Sequence, residues 1–444
     1  MARILLLATT TGYQTRAFGE AAEALGVRLV FATDRCEQID DPWQDGAIPI
    51  RFHDESRSVG AIVAAARERP IDGLVVVGDR PTTIAADAAE ALRLRWHPPD
   101  AAAIARNKLL TRQRLSGAGL PSPWFVTTTV HADPRLLVPP SFPCVVKPIS
   151  LSGSRGVIRA DDLPSFRAGF ERLRALLRSP DVQVQRDPAH DVVIIEGFIP
   201  GREYALEGLM HDGSVQVLAL FDKPDPLDGP FFEETVYLTP SGAPASDQQA
   251  IVAGVTRAAK AIGLHHGPIH AECRLNKDGV FVLEVAARPI GGICARALRF
   301  VQEPPTSEVS AESITRHRQS EISLEDLLLR HALGQAARWR RTDDASGVMM
   351  IPIPRGGIYR GVRGLEAARQ IPNITDIRIT AKPDQRLVPL PEGASYLGFI
   401  FGRGPDRTAV DRALRAAHAR LTFRVDAEFP VLASSEIRYN RPNG

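Results

Sequence analysis

Apolar and polar positions alternate in blocks along the first hundred residues. Ile4 to Ala8 is an unbroken apolar run that reads as a buried strand. Residues 17–25 follow with helical spacing and a Gly26 stop. VRLVFAT (27–33) and IDGLVVVGD (71–79) are further apolar strands. SVGAIVAAARER (58–69) and TTIAADAAEALRL (82–94) are amphipathic helices. Continuous apolar strands between amphipathic helices predict a parallel, doubly wound sheet. No G-x-G-x-x-G follows the first strand, so a dinucleotide site of that kind is unsupported. Asp34 and Asp79 each close a strand, where ligands meet such sheets. A helix cap is the commoner role for Asp there.

The pattern changes from residue 107. NKLLTRQRLSGAG (107–119) predicts a helix, and residues 142–160 a strand, a Gly/Ser loop and a strand. Residues 163–178 form an amphipathic helix. Residues 192–223 give a buried strand, a turn at Pro200-Gly201, and two antiparallel strands around His211-Asp212-Gly213. Asp247 is expected to cap a long helix that Gly263 stops. Residues 268–289 read as a hairpin turning at Asn276–Gly279. The polar, Pro/Ser/Glu-rich stretch 302–322 reads as a loop or linker. SLEDLLLRHALG (323–334) is a helix with Ser323 as its N-cap and Glu325 and Asp326 in its first turn. Beyond Gly347, short strands surround two helices.

At 444 residues the chain is expected to hold about three domains. Its 54 basic and 52 acidic residues leave a formal charge of +2. That carries no global signature for nucleic acid or an anionic membrane. No apolar run is long enough for a signal peptide or a membrane span. Cys36, Cys144, Cys273 and Cys294 are scattered without a C-x-x-C pair. This argues against a disulfide framework or a cysteine zinc site and fits a reducing cytoplasm. Only six basic residues are Lys (108, 147, 223, 260, 277 and 382), against 48 Arg. Such a chain can keep Lys where a compact point charge is needed. For Lys260, Lys277 and Lys382 a plain surface position is the expectation.

Three groups of residues can carry chemistry. Ser150 to Gly156 (SLSGSRG) lies between two strands. Its small residues Ser152, Gly153, Ser154 and Gly156 allow backbone N–H groups to cradle a phosphate, and Arg155 adds a charged donor. The alternative is a plain turn. Lys147, in the apolar strand CVVKP, is costly to bury unpaired unless its stem snorkels to an edge. Glu196 ends the apolar strand VVIIEGF. The connector Glu196-Gly197-Phe198-Ile199 can read a base edge through its backbone, and Glu203 can accept from a ribose hydroxyl. The alternative is pairing with a neighbouring Arg. Glu272 and Glu284 lie on opposite arms of the 268–289 hairpin, each flanked by apolar residues. Facing carboxylates repel unless a cation lies between them, and Mg²⁺ shared with nucleotide phosphates satisfies that need. Arg288 follows and can stabilise a negative transition state. The alternative is a surface salt-bridge ladder.

The order Lys108, Lys147, Gly-rich loop, Glu196, Glu203, Glu272, Glu284, Arg288 resembles the ATP-grasp superfamily of carboxylate–amine ligases. The resemblance covers nearly the whole chain and points to the L-amino acid ligase (dipeptide synthetase) branch. It implies an α/β and α+β multidomain fold: a Rossmann-like domain over 1–105, an ATP-grasp domain over 106–300, and a linker with a C-terminal α+β domain over 301–444. It implies that Lys108 and Lys147 bind the α/β-phosphates and that the 150–156 loop covers the β/γ-phosphates, closing to exclude water. Glu196 to Ile199 would hold adenine, Glu203 the ribose, and Glu272 and Glu284 two Mg²⁺, with Mn²⁺ as a substitute. The stretch 221–240, with Lys223, Glu234 and Tyr237, resembles that branch's amino acid pocket, Glu234 facing the substrate amine. Arg288, Gly291 and Gly292 would face the carboxylate and the reacting phosphate.

The implied reaction joins a carboxylate to an amine through an acyl phosphate and releases ADP and phosphate. The implied partners are small molecules in the cytoplasm. Relatives are often dimers, so a homodimer is compatible with the resemblance. Two positions depart from the pattern. Ala286 stands where many relatives have Asn, removing one metal donor, and Tyr237 stands where the branch usually has His, which bears on substrate identity. The alternatives are another ATP-grasp enzyme (biotin-carboxylase-like or purine-pathway) and a degenerate ATP-binding module.

Overall fold

The computed structural model describes residues 1–9, 14–34, 47–303, 321–335 and 338–428. Cys36 and residues 304–320 of the expected polar linker lie outside them. Strands Ile48–Pro49, Arg28–Thr33, Arg3–Ala8 and Gly73–Val77 form, in that order, a parallel sheet. Helices Thr15–Leu25, Glu55–Glu68 and Thr82–Leu92 alternate with its strands. Leu5, Leu7, Leu74 and Val76 point into one core; Ile4, Leu6, Val75 and Val77 point into another. Both faces are covered, which explains why these strands carry unbroken apolar runs.

The helix Pro99–Arg106 was not apparent from periodicity; a proline opens it. Asn107 then caps Lys108–Gly117, its side chain accepting from the Leu109 and Leu110 N–H groups at 3.0 and 3.2 Å. The long helix spans Ala245–Ile262 with Pro244 at its N-cap. Asp247 is therefore not the cap; it sits in the first turn, where its charge suits the helix dipole. Gly263 ends the helix at φ 93°, as a left-handed stop requires. Ser323 caps Leu324–Ala332 by accepting from the Asp326 N–H. Among the described residues, no helix is long and apolar enough to cross a membrane.

Two antiparallel sheets make the centre. The smaller runs Phe125–Thr129, Val192–Gly197, Cys144–Pro148, Ile158–Ala160. The helix Leu163–Leu177 packs Phe166, Phe170 and Leu173 against it. The larger has eight strands: Gly279–Ala286, Gly267–Asn276, Arg202–His211, Ser214–Asp222, Val236–Thr239, Ala345–Ile351, Gly398–Gly404 and Ile374–Ile379. It does not stop at residue 300. Val236–Thr239 pairs with Ala345–Ile351, so C-terminal strands extend the sheet of the middle block. A small sheet of Arg386–Leu387, Gly357–Arg363 and Thr422–Asp426 follows.

The seam is tight at Gly347. A Cβ there would lie 2.6 Å from the Leu238 side chain and 2.8 Å from the Tyr237 carbonyl oxygen. Gly347→Val is expected to destabilise the protein by about 1–3 kcal/mol through overpacking, read as a lower urea midpoint. An unchanged midpoint would show that the seam yields.

Candidate active site

A cavity of about 500 Å³ opens where the parallel sheet, both antiparallel sheets and the C-terminal strands converge. Its walls include Lys108, Lys147, Ser152, Gly153, Ser154, Glu196, Gly197, Phe198, Ile199, Glu203, Glu234, Tyr237, Glu272, Glu284, Arg288, Gly291 and Gly292. Arg155, Gly156 and Lys223 are not in these walls. The cavity also takes in residues that local pattern did not single out, among them Gln14, Arg274, His270, Tyr396 and Phe399.

At one end, Glu196 is buried between two cations. Arg112 donates from Nε to Oε2 at 2.8 Å, and Lys147 Nζ lies 2.5 Å from Oε1. Arg112 also donates to the Val282 carbonyl at 2.8 Å. Burial opposes the charge on Glu196, but Arg112 and Lys147 outweigh it and hold its pKa at about 2. Burial dominates at Lys147, whose pKa falls to about 8. Lys147 therefore neither snorkels nor stands alone, and Glu196 has the Arg partner that was its alternative reading. Arg112 had one local signal: it lies four residues after Lys108 and three before the buried Leu115, on the inward face of its helix. Phe198 stacks with Phe232 at 6.4 Å, and Arg274 lies over both rings.

At the other end, Lys223 sits behind the wall as a hub. Its Nζ lies 2.7 Å from Glu203 and 3.1 Å from Glu272, and it also bonds Glu234. The three carboxylates raise Lys223 well above its usual range despite burial. Arg274 donates to the second oxygen of Glu203 at 2.9 Å and to the Ile199 carbonyl at 2.7 Å. Tyr237 donates to Glu234 at 2.8 Å. Burial and neighbouring Glu272 push the Glu234 carboxyl up to about 7. Burial also acts on Glu272, but Lys223 and His270 outweigh it and keep that carboxylate well below the usual range. His270 lies between Glu207 (3.1 Å) and Glu272 (3.7 Å) and rises to about 9 despite burial.

Glu272 and Glu284 are direct partners across adjacent strands, as the hairpin pattern predicted. Arg288 Nη2 lies 3.8 Å from Glu284. Its Nε and Nη2 grip Asp79 at 2.6 and 3.1 Å. The Asp79 side chain is therefore an ion-pair partner rather than a helix cap; Thr82 instead bonds the Asp79 carbonyl.

The Gly-rich loop is tied to the C-terminal block. Arg155 points away from the cavity, donating to the Glu392 carbonyl at 2.7 Å and pairing with Asp181. Gly156 N–H donates to the Pro391 carbonyl at 2.8 Å, and its Cα faces Leu173 and Leu176. Arg172 grips the Glu392 carboxylate. The lysines divide as expected: Lys260, Lys277 and Lys382 are exposed, whereas Lys108, Lys147 and Lys223 surround the cavity.

Residues 140–297 match the ATP-grasp domain, 19–94 the ATP-grasp N-terminal domain, and 349–426 the L-amino acid ligase C-terminal domain 2. The fold superposes on the L-amino acid ligase of Bacillus licheniformis at a TM-score of 0.75 and 26% identity, covering 96% of this chain and 99% of that one. The chain therefore carries an ATP-grasp domain.

Curated ATP-grasp relatives include the alanine–anticapsin ligase of Bacillus subtilis, 28% identical over 53% of this chain and 52% of its own length. The D-alanine–D-alanine ligase of Aromatoleum aromaticum is 29% identical over 43% of this chain and 58% of its own length. The chain spans about half the length of the curated relatives it matches. Within the ATP-grasp core, removing one partner of a buried ion pair strands the other. Arg112→Met is thus expected to destabilise by about 3 kcal/mol. Urea unfolding would show it, and the double variant Arg112→Met/Glu196→Gln should recover part of the loss. A fully stable single variant would mean that Lys147 alone satisfies Glu196.

Proposed function

We propose that this chain is an ATP-dependent ligase that joins an amino acid carboxylate to the amine of a second amino acid through an acyl phosphate. One observation carries the reading. A single cavity gathers the cations Lys108, Lys147 and Arg288, the facing pair Glu272 and Glu284, and the Glu234 carboxyl poised near neutrality. The relatives named L-amino acid ligase and alanine–anticapsin ligase support two amino-acid substrates.

In this reading ATP lies with its adenine beside Glu196 to Ile199 and its ribose beside Glu203. Lys108 and Lys147 neutralise its phosphates, under the backbone of Ser152 to Ser154. Lys108 already meets this loop, donating to the Leu151 carbonyl at 2.6 Å. A carboxylate oxygen of the first substrate attacks the γ-phosphorus, the bond to the β-phosphate oxygen breaks, and ADP leaves. The second substrate's amine attacks the acyl carbon, and phosphate departs from the tetrahedral oxyanion. Arg288, fixed in orientation by Asp79, neutralises the developing charge. Glu234 accepts the proton that the amine must lose. Glu203, held by Lys223 and Arg274, keeps its second role in fixing that hub.

The paired carboxylates Glu272 and Glu284 fit a hard divalent cation. Mg²⁺ held there would neutralise phosphate charge. Ala286, on the same strand, supplies no third side-chain oxygen.

The test is phosphate and ADP release with MgATP across a matrix of paired amino acids, with mass spectrometry of the products. The expected result is release only with particular pairs, together with a product lighter by one water than their sum. Release that requires bicarbonate and biotin would move the chain to the carboxylase reading. MgATP binding without turnover on any acceptor would favour the degenerate module that Ala286 suggests.

Glu234 has to be ionised to take the proton, so kcat/KM should be present above pH 7 and fall as pH drops through about 7. Glu234→Gln should lower kcat about 100-fold or more and abolish that limb. A limb that survives in Glu234→Gln would assign the proton transfer elsewhere.

A further inference from the structure

Outside the cavity walls, three histidines from separate segments meet. His211 lies at the hairpin turn before Ser214–Asp222, His266 just before Gly267–Asn276, and His331 in the helix Leu324–Ala332. One nitrogen of each lies within 4.8 Å of the other two. The His266 and His331 rings stack at 4.3 Å, with His211 at 5.2 and 5.8 Å from them.

Two of these rings are only 3% and 9% exposed. His266 Nδ1 and His331 Nε2 are buried without a hydrogen bond. Buried polar atoms are normally satisfied, and a neighbour shows the contrast. His97 Nε2 lies 3.0 Å from the Pro268 carbonyl, and its Nδ1 accepts from the His265 N–H at 3.2 Å. The His331 nitrogen is left without a partner, and His266 Nδ1 has only a long contact to Asp212.

We propose that His211, His266 and His331 form a transition-metal site that takes one Zn²⁺, or Co²⁺ in its place. Three imidazoles with an open fourth position are an established ligand set for zinc. Tetrahedral coordination at about 2.1 Å brings ligand nitrogens to about 3.4 Å from one another, so the nitrogens close by about 1 Å and the stacked rings tilt to converge on the ion. Asp212 lies beside them, 3.4 Å from His266 Nδ1 and 3.7 Å from His211 Nε2. A carboxylate so placed orients ligand rings or fills the fourth position. It is itself held by Arg95, which limits the negative charge at the site. The exposed His211 gives the ion its entry.

The bound ion would clip the helix Leu324–Ala332 to two strands of the large sheet. That helix already rests closely on the parallel sheet: a Cβ on Gly73 would lie 2.5 Å from the Ala332 carbonyl oxygen. Residue spacing hid the site, since its ligands are scattered along the chain and no short H-x-H pattern joins them.

The test uses the full chain without an affinity tag, stripped by chelator and titrated with Zn²⁺ or Co²⁺ in excess Mg²⁺. The expected result is one ion per chain, the visible absorption of tetrahedral cobalt, and a higher Tm with zinc. His331→Asn should weaken binding by at least about tenfold. His211→Ala, at an exposed position, should do the same without threatening the fold. No saturable uptake would overturn the proposal. So would uptake undiminished in His211→Ala, or uptake lost in Glu272→Gln instead.

Discussion

One buried ammonium governs the carboxylate-rich end of the cavity. Lys223 touches Glu203, Glu234 and Glu272, and no charge this deep is tolerated without partners. The contacts extend through Arg274 and through His270 to Glu207. Four carboxylates (203, 207, 234, 272) therefore face three cations (223, 270, 274), leaving one negative charge in excess. Burial adds to that excess, and proton affinity rises where compensation is weakest. Glu203 has Lys223 and Arg274, and Glu272 has Lys223 and His270. Glu234 has to share Lys223 with both, and burial with Glu272 at its side raises its proton affinity. Glu207, fully buried, is raised as well. The proton-accepting role proposed for Glu234 follows from this arithmetic of charge, not from any property of glutamate alone.

The cavity is a product of convergence. The parallel sheet contributes Asp79, the smaller antiparallel sheet Lys147 and Glu196, the larger one Glu272 and Glu284, and the C-terminal segment Tyr396 and Phe399. No single sheet holds a working set. The eight-stranded sheet makes the convergence rigid, because its strands run without a break from Gly279–Ala286 to Ile374–Ile379.

Strands such as Arg3–Ala8 were legible because both faces are buried, which leaves an uninterrupted apolar signature. Glu272 and Glu284 were legible because a hairpin fixes register and places them face to face. Lysine scarcity separated three lysines at or behind the cavity from three exposed ones. What stayed hidden depends on distance along the chain. Arg288 and Asp79 are 209 residues apart, and Arg112 and Glu196 are 84 apart. With 48 arginines, little that is local marks the few that are buried, helix phase at Arg112 apart. Asp79 and Asp247 were misread for a related reason: a cap is decided by where a helix starts and by what else competes for the carboxylate.

The ties between the Gly-rich loop and the C-terminal block carry a kinetic consequence. Arg155 and Gly156 bond carbonyls of Glu392 and Pro391, and Arg172 grips the Glu392 carboxylate. The loop cannot swing outward as an independent hinge. Any outward motion has to break these bonds or drag residues 391–392 with it, next to Ala394, Ser395 and Tyr396, which also line the cavity. Motions of the Gly-rich loop and of the C-terminal wall are thereby mechanically geared, as two doors on one latch.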